Sequence, residues 1–172
     1  LKDGRYEVDL GENLSARPAI RVRGKAGSRV TIETAERKGK PWQGHSYTYT
    51  LKGDAEAEFF APRFTYFGFQ YVEITADPEL PTIGRLEGCV TFSANEQIGE
   101  FECSHPLINK MHHATVWSQR SNMLGYPMDC PQRDERLGWF GDAQVTAEEA
   151  MFNFDMALFY ENWLAGIRAN QD

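Results

Sequence analysis

Short segments of alternating apolar and polar residues fill the first ninety or so positions of the chain. The alternating segments are 19–23, 30–33, 47–51 and 55–59. A period of two predicts half-buried strands, and the glycine, aspartate and proline residues between the segments predict tight turns. Phe67, Phe69 and Tyr71 fall on one face of a further strand and are predicted to be core. Strands of this kind in succession predict an antiparallel β-sandwich.

The pattern changes after Glu96, where apolar residues recur at helical spacing. Ser104 is predicted to cap a first helix that has Pro106 in its first turn, where proline is tolerated. A second helix is predicted over about 143–150, and Asp155 is predicted to cap a third. The apolar positions of the first helix are Leu107, Ile108, Met111, Ala114 and Thr115. Those of the third are Met156, Phe159, Tyr160, Trp163 and Ile167.

These patterns predict a multidomain β + α chain, with an antiparallel β-sandwich at residues 1–94 and helices at residues 95–172. Three helices supply few partners for the apolar stripe of the third one. Because the chain also begins without methionine, we expect it to belong to a longer protein. Either further helices cover the stripe or the helical part packs back on the sandwich, and both arrangements stay open.

Composition narrows the class of partner. The 172 residues carry a formal net charge of −7 and no basic cluster, which argues against nucleic acid, because phosphate binding requires a basic surface. No apolar run approaches about 18 residues, so we expect no membrane span. The polar first ten residues do not resemble a signal peptide. These features indicate a soluble protein with a neutral ligand, and they specify neither the compartment nor the oligomeric state.

Cysteine and histidine spacing predicts neither a metal nor a cofactor. Cys89, Cys103 and Cys130 are too widely spaced for a disulfide framework or a zinc knuckle. The four histidines share no spacing that directs two imidazoles at one ion. Cys130 lies in an acidic segment, but the sequence places no base beside it. A buried structural thiol is therefore favoured over a nucleophile.

The acidic segment 129–142 is the most informative part of the sequence. It reads Asp-Cys-Pro-Gln-Arg-Asp-Glu-Arg-Leu-Gly-Trp-Phe-Gly-Asp, with four carboxylates, two arginines and a tryptophan. Its proline and glycines predict a loop rather than a helix face. An aromatic ring beside clustered acids is typical of sites that cleave sugars, where the ring stacks on a face of the sugar. A buried loop of structural ion pairs is the alternative, because such networks also cluster charges.

This segment, extended by Ala-Gln, resembles the signature of bacterial α-L-rhamnosidases, glycoside hydrolase family 78. Residues 104–110 and 115–122 are similar to the helix that leads into that signature. Residues 64–74 resemble a strand of the β-sandwich that precedes the catalytic domain. The resemblance covers nearly the whole chain and implies a β-sandwich followed by the first helices of an (α/α)6 barrel, incomplete in this chain.

The resemblance also implies roles for the residues of the loop. Glu135 matches the general acid, and Asp129 and Asp142 match residues that hold the rhamnose hydroxyls. Trp139 matches a wall of the sugar pocket. Two further motif residues, Arg133 and Asp134, are assigned to support or ligand contact. The general base of the family is a glutamate downstream of residue 172, so we expect this chain alone not to turn over substrate.

Charge around Glu135 decides whether it can act as an acid. A proton donor must be protonated near neutral pH, which neighbouring carboxylates favour and a direct arginine partner opposes. We therefore predict that Arg133 and Arg136 pair with the aspartates rather than with Glu135.

Three functions remain to be distinguished. The first is inverting hydrolysis of terminal α-L-rhamnosyl residues from glycosides or polysaccharides. The second is a non-catalytic, carbohydrate-binding β-sandwich, for which Trp42 is a stacking candidate. The third is a sandwich that only buttresses the helical domain. Within the enzyme class, Met128 and Phe140 depart from the family pattern beside the assigned acids. A related hydrolase with a different sugar preference is therefore the alternative there.

Overall fold

The computed structural model describes residues 4–39 and 45–171. The chain forms two compact units, Leu1–Val90 and Thr91–Asp172. We call them the β unit and the α unit, after their secondary structure. Trp42 lies outside the described residues. In the described part of the chain, no helix is long and apolar enough to cross a membrane.

The β unit is one curled, antiparallel sheet, which confirms the predicted architecture. Its strands are β1 (Tyr6–Arg23), β2 (Arg29–Ala35), β3 (Ser46–Thr50), β4 (Glu58–Phe60), β5 (Phe67–Asp77) and β6 (Thr82–Val90). The order is β3-β2-β5-β1-β4, and β6 also pairs with β1. The first half of β1 pairs with β5, and its second half pairs with β6 and β4. This long strand therefore joins all parts of the sheet.

A bulge in β1 makes the sheet curl. The pairing of β1 with β5 shifts register between Asp9 and Leu14. Gly11 lies in this bulge with φ of 83°, a left-handed conformation that glycine adopts without strain. Its amide donates to Asp9 Oδ1 at 2.8 Å. Bulges of this kind bend a strand and increase its twist, so one strand can serve two neighbours in succession.

The core of the β unit follows the predicted alternation except near this bulge. Ile20, Val22, Ile32 and other strand residues are fully buried. Phe67 and Phe69 are buried as predicted, but Tyr71 is only half-buried, so the prediction that it belongs to the core is wrong. The buried positions of β5 change phase after Phe69, opposite the register shift in β1, and continue at Val72 and Ile74.

A buried carboxylate shapes the loop before β4. Glu58 accepts hydrogen bonds from Tyr49 Oη at 2.7 Å and from the amides of Lys52 and Gly53 at 3.0 Å. These bonds hold residues 52–53 in a loop, so the strand predicted over 55–59 begins only at Glu58. Burial opposes ionisation of Glu58, but the donated hydrogen bonds outweigh it and lower the pKa of this carboxyl. The hydrogen bond from Tyr49 to Glu58 also raises the pKa of Tyr49 to about 12.

We expect Glu58 to make the β unit sensitive to acid. Because its pKa is lower in the folded state, its contribution is present above the unfolded value of about 4.3 and is lost as pH falls through the folded value. Glu58→Gln should reduce the free energy of unfolding at pH 7 by about 1.5–3 kcal/mol. It should also flatten the pH dependence below about pH 4.3. Urea unfolding followed by circular dichroism from pH 3 to 7 measures both effects.

The control for this prediction is Glu56→Gln, which removes an exposed carboxylate from the same loop. It should leave both the free energy of unfolding and its pH dependence close to those of the wild type. Equal curves for the two variants would show that the hydrogen bonds to Glu58 do not stabilise the fold.

The α unit contains the three predicted helices, with corrected boundaries. They are α1 (Pro106–Ser121), α2 (Phe140–Asn153) and α3 (Ala157–Ala169). Ser104 does not cap α1. The N-cap position is His105, and Asn109 satisfies the preceding backbone instead, bonding the amide and the carbonyl of Cys103 at 2.9 and 2.8 Å. Met156 is the N-cap of α3, and Asp155 Oδ1 accepts from the amide of Ala157 at 3.2 Å.

The core of the α unit confirms the stripe predicted for α3. Met156 and Phe159 are buried, the other three stripe positions are half-buried, and the rest of α3 is exposed. The residues packed in this core are Val116, Met123, Ala150, Phe154, Met156, Phe159 and Tyr160. The apolar positions predicted for α1 are all exposed, since α1 turns Val116 and Gln119 inward instead.

A glycine allows the segment before α1 to pack against the end of α2. The amides of Ile98 and Gly99 both donate to the carbonyl of Asn153, at 2.9 and 3.1 Å. A Cβ at Gly99 would clash with the carbonyl oxygen of Phe152. That oxygen belongs to the backbone, so the contact leaves no room for a side chain.

We expect Gly99→Ala to destabilise the α unit, because the backbone at 152–153 must shift to admit the methyl group. We expect Gly99→Ala to lower the free energy of unfolding by about 3 kcal/mol, which is at the upper end of the usual range for a single substitution. Gly141→Ala is the matched control, since a Cβ there meets nothing within 4 Å. Thermal unfolding followed by tryptophan fluorescence reports on the α unit through Trp117, Trp139 and Trp163. Equal melting temperatures for the two variants would contradict the close approach at Gly99.

Candidate active site

Residues 129–139 of the acidic segment lie in the irregular chain between α1 and α2, as predicted, whereas residues 140–142 form the first turn of α2. Asp129 and Leu137 close this loop from both sides. The amide of Asp129 donates to the carbonyl of Leu137 at 3.1 Å, and the amide of Leu137 donates to Asp129 Oδ1 at 2.8 Å. Residues 129–137 therefore form a closed loop, which we call the acidic loop.

Asp129 is held at the neck of the acidic loop as a buried anion. Its side chain is 6% exposed, and its Oδ2 accepts a hydrogen bond from Cys130 Sγ at 3.2 Å. Burial opposes ionisation of Asp129, but the bonds from the Leu137 amide and the Cys130 thiol outweigh it and lower the pKa of Asp129. Asp129 is thus negatively charged at neutral pH.

Cys130 supports Asp129 rather than acting as a nucleophile. Burial chiefly raises the pKa of the Cys130 thiol, and its bond to Asp129 raises it further. A thiol must lose its proton to attack, so this environment makes Cys130 a poor nucleophile. The role found here is that of a hydrogen-bond donor, which the sequence reasoning missed because donor and nucleophile look alike in a sequence.

Glu135 contacts Arg133 directly, so the predicted pairing of the arginines is wrong. Arg133 Nε and Nη2 donate to Glu135 Oε2 at 2.9 and 2.6 Å, whereas Arg133 Nη2 lies 3.7 Å from Asp129 Oδ2. Arg136 donates to the backbone carbonyls of Arg133 and Pro131. The reason is local: Asp129 already accepts from the loop, and Arg133 is two residues from Glu135 in a tight turn.

Trp139 completes the surroundings of Glu135. Trp139 Nε1 donates to Glu135 Oε1 at 3.1 Å, so the carboxylate links an aromatic ring to a cation. Glu135 and Trp139 are both exposed. The acid, the cation and the ring therefore lie where a ligand from solvent can reach them.

The oxygens of Asp129 and Glu135 and Cys130 Sγ lie within 4.8 Å of one another, a spacing that divalent ions can use. This donor set does not suit a cation. Arg133 already places a positive charge against both carboxylates, and burial keeps the thiol protonated.

Asp142 joins Asp129 at a second, separate depression. Both residues line a cavity of about 220 Å³ next to Gln119 and Asn122. Asp142 is in the first turn of α2, where the helix dipole favours a negative charge. The structure therefore brings Asp129 and Asp142 together, and it brings Arg133, Glu135 and Trp139 together. Asp129 is near both groups.

Asp134 and the two residues that depart from the family pattern lie around these groups. Asp134 is exposed on the acidic loop. Met128 is buried and lines the cavity of Asp129 and Asp142. Phe140 is exposed and lies with Trp163 in a wider groove of about 680 Å³, their ring centroids 5.6 Å apart. Sequence reasoning placed Trp163 in the core stripe, and only the tertiary structure shows its half-exposed edge.

Glu149 is the other carboxyl of interest in the α unit. Desolvation chiefly raises the pKa of Glu149, against a bond from Asn153 at 2.7 Å and the charge of His112. It lines a cavity of about 540 Å³ that also contains Glu148. The sequence indicated an ordinary helix residue, whereas this environment makes Glu149 an alternative proton donor that an experiment must test.

The polar face of the β unit carries its own depression of about 320 Å³. Glu7, Glu73 and Glu33 lie directly opposite one another on β1, β5 and β2, beside Tyr71. Arg5 pairs with Glu73 at 3.1 Å. Among the described residues, this depression is lined by no tryptophan and by no clustered loop like the acidic segment. The acidic loop therefore remains the candidate active site.

Comparisons with known proteins agree with the structure. Residues 1–92 match the family described as bacterial alpha-L-rhamnosidase concanavalin-like domain, and residues 96–172 match the bacterial alpha-L-rhamnosidase 6 hairpin glycosidase domain. An alpha-L-rhamnosidase of Streptomyces avermitilis is 39% identical over 181 residues, which cover 99% of this chain and 17% of that protein.

Solved structures show the same likeness. The alpha-L-rhamnosidase from Dictyoglumus thermophilum is 44% identical with a TM-score of 0.89, covering 99% of this chain and 20% of that one. The Streptomyces avermitilis alpha-L-rhamnosidase complexed with L-rhamnose is 37% identical with a TM-score of 0.88, covering 99% of this chain and 17% of that one. This chain thus spans at most about a fifth of these relatives. Both of its units match consecutive domains of the same proteins, and the chain belongs to the bacterial alpha-L-rhamnosidase family.

Proposed function

We propose that this chain is part of an α-L-rhamnosidase that hydrolyses terminal α-L-rhamnosyl residues from glycosides or polysaccharides, with Glu135 as the general acid. The observation that carries the proposal is the position of Glu135, exposed between the Arg133 guanidinium and the Trp139 indole. Membership of the family and the L-rhamnose complex of the Streptomyces avermitilis relative support rhamnose as the sugar.

In the proposed reaction Glu135 donates its proton to the glycosidic oxygen as the bond from that oxygen to the anomeric carbon breaks. Trp139 presents an apolar ring to a sugar face, and Asp129 and Asp142 accept hydrogen bonds from sugar hydroxyls. We assign Asp134 a supporting contact with the ligand. A water molecule, activated by a second carboxylate, attacks the anomeric carbon from the opposite face.

Arg133 must release Glu135 before the acid can act, because its guanidinium donates two hydrogen bonds to Glu135 Oε2 and occupies that oxygen. The side chains of Arg133 and Glu135 are 37% and 35% exposed, so both can reach a ligand without unfolding the acidic loop. We propose that bound sugar hydroxyls draw the guanidinium away from Glu135 and free its carboxyl to face the glycosidic oxygen. Arg133 is thus a substrate ligand as well as the partner of the free acid.

We propose an inverting mechanism, as membership of the family implies, and the short distance between Asp129 and Glu135 argues against Asp129 as its general base. Inverting pairs are roughly 6.5–9.5 Å apart. One carboxylate oxygen of Asp129 lies within 4.8 Å of one of Glu135, closer than an inverting pair, and the Leu137 amide and the Cys130 thiol hold Asp129 in that place. We therefore propose that the general base lies downstream of residue 172.

Two other functions make different predictions. A carbohydrate-binding sandwich would bind rhamnosides through the β unit and would not need Glu135. A hydrolase of another sugar would need Glu135 but would reject rhamnosides, and the groove of Phe140 and Trp163 is the part of the site where preferences can differ.

Replacing Glu135 with glutamine in the full-length protein that carries this chain tests the acid. General acids contribute about 10²–10⁴-fold to the rate, and we expect a loss of that size on phenyl α-L-rhamnoside. The loss should be far smaller on 2,4-dinitrophenyl α-L-rhamnoside, because a good leaving group departs without protonation. The rate at which each substrate releases its aryl group, in the wild type and in the variant, gives the loss of activity on each substrate.

Two matched variants control this experiment. Glu148→Gln replaces an exposed glutamate of α2 and should keep wild-type activity. Glu149→Gln replaces the half-buried carboxyl and should also keep it. A leaving-group-dependent loss in Glu149→Gln, with Glu135→Gln active, would assign the acid to Glu149. A wild type that cleaves other aryl glycosides but no rhamnoside would point to a different sugar.

The isolated chain of residues 1–172 should not hydrolyse aryl α-L-rhamnosides, because we place the base outside it. Assay of the chain and of the full-length protein, at equal molar concentration, tests this. Release of the aryl group by the isolated chain would show that the base lies within these residues. Circular dichroism on the same sample establishes that the chain is folded.

A further inference from the structure

The backbone at Arg136 has an unusual conformation next to the proposed acid. Its φ is 48°, so it is one of two non-glycine residues with a left-handed backbone among those described. This conformation is unfavourable for a residue with a side chain and persists only where surrounding contacts enforce it. Because Arg136 follows Glu135 directly, its backbone angles set the direction in which Glu135 leaves the acidic loop.

Several contacts hold Arg136 in this conformation. Its Nε donates to the carbonyl of Arg133 at 3.2 Å, and its Nη2 makes a longer contact of 3.4 Å to the carbonyl of Pro131. Tyr126 Oη donates to the carbonyl of Arg136 itself at 2.8 Å. The half-buried side chain thus folds back over the start of the loop, and the Tyr126 hydroxyl fixes the peptide that follows.

The same contacts lead to the carboxylate of Glu135. Arg136 binds the backbone of Arg133, and the Arg133 side chain binds Glu135 Oε2. Leu137, the next residue, is fixed at the neck of the loop by Asp129. Glu135 is therefore placed from one side through Arg133 and from the other through the left-handed turn at Arg136.

We propose that Arg136 is a positioning residue for Glu135, whose guanidinium holds the acidic loop in the shape that presents the acid to the leaving oxygen. This rests on the proposed function of Glu135. Arg136 itself does not touch substrate. Its action is through backbone carbonyls, so lysine, which lacks the planar fork, replaces it incompletely.

The test uses the full-length protein with two substitutions of different consequence. Arg136→Met keeps the aliphatic stem and removes the guanidinium. Arg136→Gly removes the side chain and makes the left-handed backbone free of strain. Displacement of a reacting group by about 1 Å can cost about 100-fold, and we expect both variants to lose that much kcat on phenyl α-L-rhamnoside.

The leaving group separates positioning from general damage. A displaced acid should matter little for 2,4-dinitrophenyl α-L-rhamnoside, so we expect a loss of less than about 5-fold there, with KM nearly unchanged on both substrates. Equal losses on the two substrates, or losses that follow the melting temperature, would reduce Arg136 to a residue needed only for folding. Wild-type activity in Arg136→Gly would show that the guanidinium is not needed and would overturn the proposal.

Tyr126→Phe provides a variant that should fold even if the arginine variants do not, since it removes one hydroxyl from an exposed residue. We expect about a 5-fold loss of kcat, confined to the phenyl substrate, because the variant lacks one neutral hydrogen bond that fixes the loop. No difference between substrates in Tyr126→Phe would contradict the proposal. Arg168→Met removes an exposed arginine from the last turn of α3 and should leave kcat unchanged on both substrates.

Glu135→Gln keeps this proposal separate from the proposed function. If Glu135→Gln shows the dependence on leaving group and the Arg136 variants do not, only the positioning role fails. If Glu135→Gln itself shows no such dependence, the assignment of the acid fails with it.

Discussion

The buried carboxylate of Asp129 is the interaction on which the candidate site depends. Its Oδ1 accepts a hydrogen bond from the Leu137 amide, and this bond closes the acidic loop. Its Oδ2 accepts a hydrogen bond from the Cys130 thiol. An anion in this place is tolerated because each of its oxygens has a donor. Because Asp129 already accepts these two hydrogen bonds, Arg133 approaches its Oδ2 only to 3.7 Å and donates both of its hydrogen bonds to Glu135. The pairing that the sequence did not predict thus follows from how Asp129 is used.

The fold could be predicted from the sequence wherever one periodicity decides it. Alternation identified most strands of the β unit, and the stripe of α3 has the burial that its spacing implies. Failures occurred where a side chain competes with the pattern. Glu58 holds residues that look like strand in a loop, and Asn109 replaces Ser104 in satisfying the chain before α1. The residue types of β5 do not reveal the bulge in β1 that lies opposite. The change in which β5 positions are buried, between Phe69 and Val72, could therefore not be predicted.

The members of the candidate site could be predicted, but not their pairing. The motif indicated that residues 129–142 act together, and the structure brings most of them into two adjacent groups. The choice of partner for Arg133 is a matter of angles within a nine-residue loop, which residue types do not encode. Arg136 illustrates the same limit. Its left-handed backbone is unusual for arginine and is enforced by Tyr126, which is ten residues away in the sequence.

The cross-tied acidic loop also bears on how this family can acquire new substrates. Nearly every residue from 129 to 137 that carries a side-chain bond supports another residue of the loop, so a substitution there disturbs its neighbours. The groove of Tyr126, Phe140 and Trp163 is lined by these rings together with glycine, aliphatic and amide residues, and no charged side chain is among its described lining residues. Such a lining tolerates changes of shape more readily than a network of charged hydrogen bonds. Under the proposed function, changes in the group attached to the sugar can therefore be accommodated by substitutions in this groove, while the hydrogen bonds of the acidic loop stay unchanged.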